Sequence, residues 1–126
     1  MLHSLLSRYL KEIEQATIGC GAYVEHYTEE ILTPERINLR IRLRFENGHL
    51  LEIAEAVVVL DDTLKHLDYR YHYQDRENQL LFRYDSTPHF PDLPGFPHHK
   101  HLPDAVIASE HPGVVGVIKE IMANET

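Results

Sequence analysis

A single cysteine, no apolar run longer than five residues and no surplus of basic charge mark this 126-residue chain. Cys20 alone excludes an intrachain disulfide and any zinc site made of several thiolates. Set between Gly19 and Gly21, with no helix start or cationic neighbour beside it, it reads as an inert small residue. The longest apolar run, residues 56–60, is far short of the roughly 20 residues that cross a bilayer, so no membrane span is expected. The opening MLHSLLSRYLKEIEQ carries charge from Arg8 onward and has no small-residue cleavage site, which argues against a signal peptide and for a cytoplasmic protein. Twelve Lys and Arg against twenty Asp and Glu give a net charge of −8. Any binding of nucleic acid therefore needs a local basic face. No repeat of 20 to 50 residues is present.

Apolar residues are sufficient for folding. Leu, Ile, Val and Phe number 37 of 126, well above the level of a disordered chain, and the length suits one domain over residues 1–126. Histidine is abundant, with ten residues, so surface charge should depend strongly on pH between about 6 and 7.

Leu2, Leu5, Leu6, Tyr9, Leu10 and Ile13 recur at helical spacing with Arg8, Lys11, Glu12 and Glu14 on the other side, which predicts a helix over residues 2–17 stopped by Gly19 and Gly21. From residue 23 to residue 85 the period changes to two. Strands are expected at about 24–32, 37–45, 50–60, 67–74 and 80–85, an antiparallel meander of about five strands. A three-residue loop of Glu46, Asn47 and Gly48 pairs Leu43 with Leu51, Ile41 with Ile53 and Arg42 with Glu52, keeping charge and apolar side chains on separate faces. Val57-Val58-Val59-Leu60, apolar on both sides, suggests a strand end covered on both faces. Asp61-Asp62-Thr63 turns the chain, residues 106–108 are a possible further short strand, and residues 112–123 read as a second helix. The expected class is α+β: N-terminal helix, curved antiparallel sheet, Pro/His-rich loop, C-terminal helix.

Strand alternation separates Tyr69, Tyr71 and Tyr73 from Arg70 and His72, and Phe82 and Tyr84 from Arg83 and Asp85. If the aromatic side faces the core, Arg70, His72, Arg83 and Asp85 share the other face of one hairpin. Imidazole can move protons near neutral pH, guanidinium can hold a phosphate, and a carboxylate can orient a ring. The plainer alternative is a surface stitched by Arg83 and Asp85 ion pairs. Downstream, Pro88, Pro91, Pro94 and Pro97 recur every third residue, the period of a polyproline II helix. Kept straight, His89 and His98 would stand about 28 Å apart and could not share an ion, a restriction that a bend at Gly95 would lift.

His98, His99, Lys100 and His101 follow directly. In an extended stretch His99 and His101 point one way and His98 the other. Either the pair supplies acid and base for metal-free phosphodiester cleavage with Lys100 nearby, or His98, His99 and His101, with Asp85 or His72, bind zinc or a similar divalent ion. A third reading is a structurally packed loop whose histidines bond backbone carbonyls. Arg36, Arg40, Arg42 and Arg44 form a basic stripe that could grip RNA or an acidic partner, although Arg42 faces Glu52 in the expected register.

The run YRYHYQDRENQLLFRYDSTPHFPDLPGFPHHKHLPD, followed by a hydrophobic helix containing EI, resembles the TumE-type toxins of toxin–antitoxin modules over about residues 67–123. That resemblance implies a small cytoplasmic toxin neutralised by a DNA-binding antitoxin encoded beside it. The residues add a catalytic expectation: Arg70 and Arg83 hold RNA phosphate, His72 with His99 or His101 transfers protons, Asp85 orients an imidazole, and Arg40, Arg42, Arg44 and Lys100 contact substrate, with no cofactor. The competing expectation is a non-enzymatic binding protein whose loop captures a partner or another copy of itself, and a metal-dependent hydrolase is the third.

Overall fold

The computed structural model describes residues 1–124. A helix, α1 (Ser4–Gly19), opens the chain with the His3 ring accepting from the Leu5 amide at 3.1 Å, and it buries Leu6, Leu10, Ile13 and Thr17. The helix begins and ends two residues later than its apolar spacing predicts, because His3 provides the cap. Seven strands follow: β1 (Tyr23–Thr33), β2 (Arg36–Arg44), β3 (Leu50–Leu60), β4 (Thr63–Gln74), β5 (Leu80–Asp85), β6 (His99–Leu102) and β7 (Ala105–Ala108). They form one antiparallel sheet in sequence order. The last element is α2 (Gly113–Asn124). Among the described residues no helix is long and apolar enough to cross a membrane.

The core lies on one side of the sheet. Ile37, Leu39, Ile41 and Leu43 from β2, Leu51, Ile53 and Val57 from β3, and the three tyrosines of β4 are buried with Leu6 and Ile13 of α1 and Val114, Val117 and Ile121 of α2. Each fully buried aliphatic side chain contributes roughly 1.5–3 kcal/mol by leaving water. Both helices lie against this one face, so the other face carries the outward residues of every strand.

The hairpin between β2 and β3 has the expected register, with Arg42 opposite Glu52, Leu43 opposite Leu51 and Ile41 opposite Ile53. Its loop closes through Phe45 N to His49 O at 2.9 Å and Gly48 N to Phe45 O at 2.9 Å. Gly48 has φ +90°, and a Cβ there would stand 2.9 Å from the Arg76 Cβ. Glycine meets both demands.

Three expectations change. The sheet has seven strands rather than about five, because His99–Leu102 and Ala105–Ala108 form a small hairpin that docks on β5. Strand β4 starts at Thr63, four residues early, because Asp61 and Asp62 make a two-residue turn with φ of 51° and 54°, the geometry that lets strands continue to the corner. The strand end at Val57–Leu60 is fully covered only on the core side: Val57 and Val59 are buried, whereas on the other face Val58 is half-buried and Leu60 is 48% exposed.

The proline ladder is not a straight polyproline helix. Leu93 N donates to Phe90 O at 3.2 Å and Phe96 N to Leu93 O at 3.2 Å, so Pro91 and Pro94 are the second residues of two successive β-turns. Proline's fixed φ suits that position as well as it suits polyproline II. Gly95 follows Pro94 with φ +81°, the left-handed residue that a type II turn requires.

Candidate functional site

The site is built by strand pairing. On the face away from the helices, two rungs cross the sheet from β2 to β6: Arg40, Ala54, Arg70, Asp85 and His99 on one, and Arg42, Glu52, His72, Arg83 and His101 on the next. Neighbouring strands stand about 4.8 Å apart, so each residue has its rung partners as lateral neighbours. Ala54 and Ala56 put almost no side chain above β3. Hollows of about 430 Å³, over Arg40, Ala54, Arg70 and His72, and about 400 Å³, over Arg36, Arg40, Ala54 and Ala56, lie along this trough. A smaller one of about 230 Å³ opens between Arg70, Arg83, Asp85, His101 and the loop residues His89 and Phe90. Arg70 lines the first and the third, which makes them neighbours.

At the far end of the rungs the sequence-predicted groups converge. Asp85 is 5% exposed and His99 1% exposed. His99 Nε2 lies 2.7 Å from Asp85 Oδ1 and 3.0 Å from His101 Nε2, and His101 Nε2 lies 3.5 Å from Asp85 Oδ2. His99 Nδ1 donates to the Pro97 carbonyl at 2.9 Å, and the Thr87 amide donates to Asp85 Oδ1 at 3.1 Å. Phe90 covers both rings edge-on, at 5.1 Å from His99 and 6.0 Å from His101. Arg83 Nε lies 3.3 Å from Asp85 Oδ2 but its N–H is not aimed at that oxygen, and this buried nitrogen makes no hydrogen bond. We read the contact as charge proximity that leaves the guanidinium with donors to spare.

His72 bonds Gln74 through Nε2 at 2.9 Å while its buried Nδ1 has no partner. Burial pushes its pKa below the ordinary imidazole value, aided by Arg70 and Arg83 and opposed by Gln74. Burial, then Arg83, push His101 the same way, with Asp85 opposing. Both rings are therefore neutral at pH 7.

Other expected residues fall elsewhere. Odd-even alternation on β6 turns His98 and Lys100 to the helix side. His98 Nδ1 lies 2.8 Å from the Tyr69 hydroxyl and cannot join His99 and His101 on an ion. Lys100, expected among the substrate contacts, is turned away from the open face: its ammonium bonds Glu120 of α2 at 3.0 Å and lies 4.8 Å from the Tyr84 ring centre. Arg42 and Arg44 bond Glu25 at 2.8 and 3.0 Å, and Arg42 also reaches Glu52 at 3.6 Å. Arg40 and Arg70 are exposed and have no ion pair among the described residues.

A second polar group was missed from sequence. Glu55, 3% exposed, sits under the helices and accepts from the Tyr9 and Tyr71 hydroxyls and from His66 Nε2 at 3.1 Å. His111 Nε2 bonds the Tyr71 hydroxyl at 2.8 Å, and its ring stacks on Tyr69 at 3.9 Å. Burial alone would raise the Glu55 pKa, but His66 and the two hydroxyls outweigh it and hold the carboxyl below its usual range. Burial pushes His111 down to about 4, with His66 adding to the effect. The signal was available: Leu51, Ile53, Glu55 and Val57 alternate inward, and a carboxylate at that phase must have buried partners. Each polar atom of Glu55 is satisfied by a neighbouring side chain, so this group reads as a cross-brace between α1, the sheet and the segment leading into α2.

Comparison with known proteins gives one match. The family model for the toxin TumE matches residues 8–125, almost the whole chain, and the chain belongs to that family. No curated protein and no solved structure matches it.

Proposed function

From its membership of the TumE toxin family, a toxin partnered by an antitoxin, we propose that this chain acts by cleaving RNA on the open face of its sheet. The observation that carries the reading is the placement of Arg70, Arg83 and His101 around one hollow, with His72 paired to Arg83 on the adjoining strand and lining the neighbouring hollow that Arg70 shares. Arg70 and Arg83 hold the scissile phosphate, Arg83 through its terminal guanidinium nitrogens, since its Nε is buried beside Asp85. His72, neutral at pH 7, stands on one side of Arg83 and accepts the 2′-hydroxyl proton at Nε2 once substrate has displaced Gln74 from it, the ring proton then being on Nδ1. On the other side His101, backed by Asp85 and His99, gives a proton to the leaving 5′-oxygen as the 2′-oxygen bonds to phosphorus and the phosphorus–5′-oxygen bond breaks. His99 is too deeply buried to touch substrate, so within this group it positions His101. The trough over Ala54, with Arg40 and Arg70 on its two sides, carries the flanking strand. A cognate DNA-binding antitoxin would neutralise the chain in the cell.

The test is incubation of purified protein with total RNA. Cleavage is expected, as is its loss in Arg70→Ala, His72→Ala and His101→Ala, with relief of growth arrest on expression. Intact RNA under all buffer and metal conditions, while cells are still arrested, refutes the catalytic reading and leaves the non-enzymatic binding role.

A further inference from the structure

We infer that Asp85, His99 and His101 form a binding site for one divalent transition-metal ion of the zinc class. The argument begins with where a proton can be. The Pro97 carbonyl only accepts, so the proton of a neutral His99 is on Nδ1, and Nε2 carries a lone pair. That lone pair faces Asp85 Oδ1 at 2.7 Å and His101 Nε2 at 3.0 Å. Asp85 and the His99 lone pair are two acceptors held 2.7 Å apart where almost no water reaches, with a His101 nitrogen completing the group, an arrangement that is costly unless a positive centre lies among them.

The dimensions suit such a centre. Zinc bonds nitrogen and oxygen at about 2.0–2.1 Å, and a tetrahedral arrangement sets its donors roughly 3.3 Å apart. Here the separations are 2.7, 3.0 and 3.5 Å. The scaffold is stiff, since His99 and His101 are alternate residues of β6 and Asp85 is directly opposite His99 on β5. A backbone carbonyl bonded to the other nitrogen of a ligand imidazole is the usual outer partner of a metal-bound histidine. Two nitrogens and one oxygen favour zinc or a neighbouring transition ion over magnesium. Three protein ligands leave a fourth position, and the side on which Asp85 and His101 line the 230 Å³ hollow is where it would open. The ion is inferred from the ligand geometry alone. Its use, to neutralise the leaving oxygen in place of a proton from His101, rests on the RNA reading above.

The full-length protein, stripped with chelator and dialysed, is titrated with zinc by calorimetry, and its metal content is measured by mass spectrometry. One equivalent per chain is expected, with affinity falling at least 100-fold in Asp85→Asn and in His101→Ala, and unchanged in His98→Ala. Because the variants could lose their fold, far-UV circular dichroism is taken on each. Cobalt(II) is also added to the unaltered protein, where strong visible absorption bands report low-coordinate ligation without any mutation. No stoichiometric zinc and no cobalt bands overturn the site, as does binding lost in His111→Ala but retained in His101→Ala, which would move the ion to the Glu55 group. Zinc bound without RNA cleavage leaves the site and removes its proposed use. Cleavage in chelator by metal-free protein removes the ion's proposed use and leaves the RNA reading, while the zinc titration still decides the site.

Discussion

Arg70 and Arg42 offer a controlled comparison, since both project from the open face and only one of them is free. Arg42 is engaged by Glu25 at 2.8 Å and Glu52 at 3.6 Å, whereas Arg70 has no ion partner among the described residues. Binding of single-stranded nucleic acid loses affinity with salt at a logarithmic slope of about −0.7 per phosphate neutralised. If Arg40 and Arg70 each hold one phosphate, their joint contribution to the slope is about −1.4, and Arg70→Ala removes about half of it. The same change costs roughly 1.5 kcal/mol near 0.1 M salt, or about tenfold in affinity, the value of a charge-assisted hydrogen bond. Arg42→Ala should move the slope by less than half as much, because its charge is already compensated. The assay is fluorescence anisotropy with a short labelled oligonucleotide whose 2′-O-methyl riboses prevent cleavage, titrated across several salt concentrations. Repulsion from the chain's net charge of −8 acts on all variants, so differences between slopes are the quantity to read. Equal slope changes in the two variants, or none in either, would refute the assignment of the phosphate grip to the unpaired arginines.

Stability should depend on pH through His111, whose pKa burial depresses to about 4 while the unfolded ring titrates near 6.5. The unfolded chain then holds the extra proton between those values, so stability is complete above pH 6.5 and falls as the pH drops toward 4. Discounted for partial solvent screening, that loss is about 1 kcal/mol at pH 5, and Tm profiles of His111→Gln should be flatter than wild type between pH 7 and 5. The Glu55 carboxyl, held below its usual range, adds stability that is present above about pH 4.5 and lost further into acid, and Glu55→Gln should remove that second fall while lowering Tm at pH 7. Lys100→Met should lower stability by about 1 kcal/mol in urea unfolding and leave RNA affinity unchanged, since the ammonium braces α2 through Glu120 and is far from the open face. The acidic limb of the kcat/KM profile should lie below pH 6.5, because burial depresses the His72 pKa, and a limb at or above the ordinary imidazole value would remove His72 as the base.

Strand alternation made most of the site legible. Once the tyrosines of β4 and Phe82 and Tyr84 of β5 are assigned to the core, Arg70, His72, Arg83 and Asp85 have only one face left, and the hairpin register then places them side by side. The same rule sends His99 and His101 to that face but sends Lys100 inward with His98, where strand phase outweighs the surface preference of a charged residue and Glu120 meets the ammonium. The proline segment was ambiguous for a physical reason: a proline every third residue is equally compatible with polyproline II and with consecutive β-turns. The choice between them is made by whether amide groups such as Leu93 N and Phe96 N find carbonyls three residues back, which composition does not encode. Glu55, His66 and His111 come from three separate segments, so their meeting depends on how the helices and the β7–α2 connection close over the sheet.

Charge count makes the far end of the face decisive for an RNA ligand. Across the open face Glu25, Glu52 and Asp85 offset Arg42, Arg44 and Arg83, and among the described residues Arg36, Arg40 and Arg70 have no ion pair, with Glu30 and Asp68 bordering the end of the trough nearer Arg36. Glu12 and Glu14 lie on α1, on the other side of the sheet, and at physiological salt charges farther than the Debye length of about 8 Å are screened from a bound strand. The local balance therefore decides affinity. In the small hollow two arginines face one carboxylate, and a divalent ion on Asp85, His99 and His101 would raise that local charge from about +1 to about +3 with neutral imidazoles. The ligand group that places an electrophile beside the leaving oxygen would thus also attract the phosphate to it, which gives a chain of net −8 a specific anchor without making it a general binder of nucleic acid.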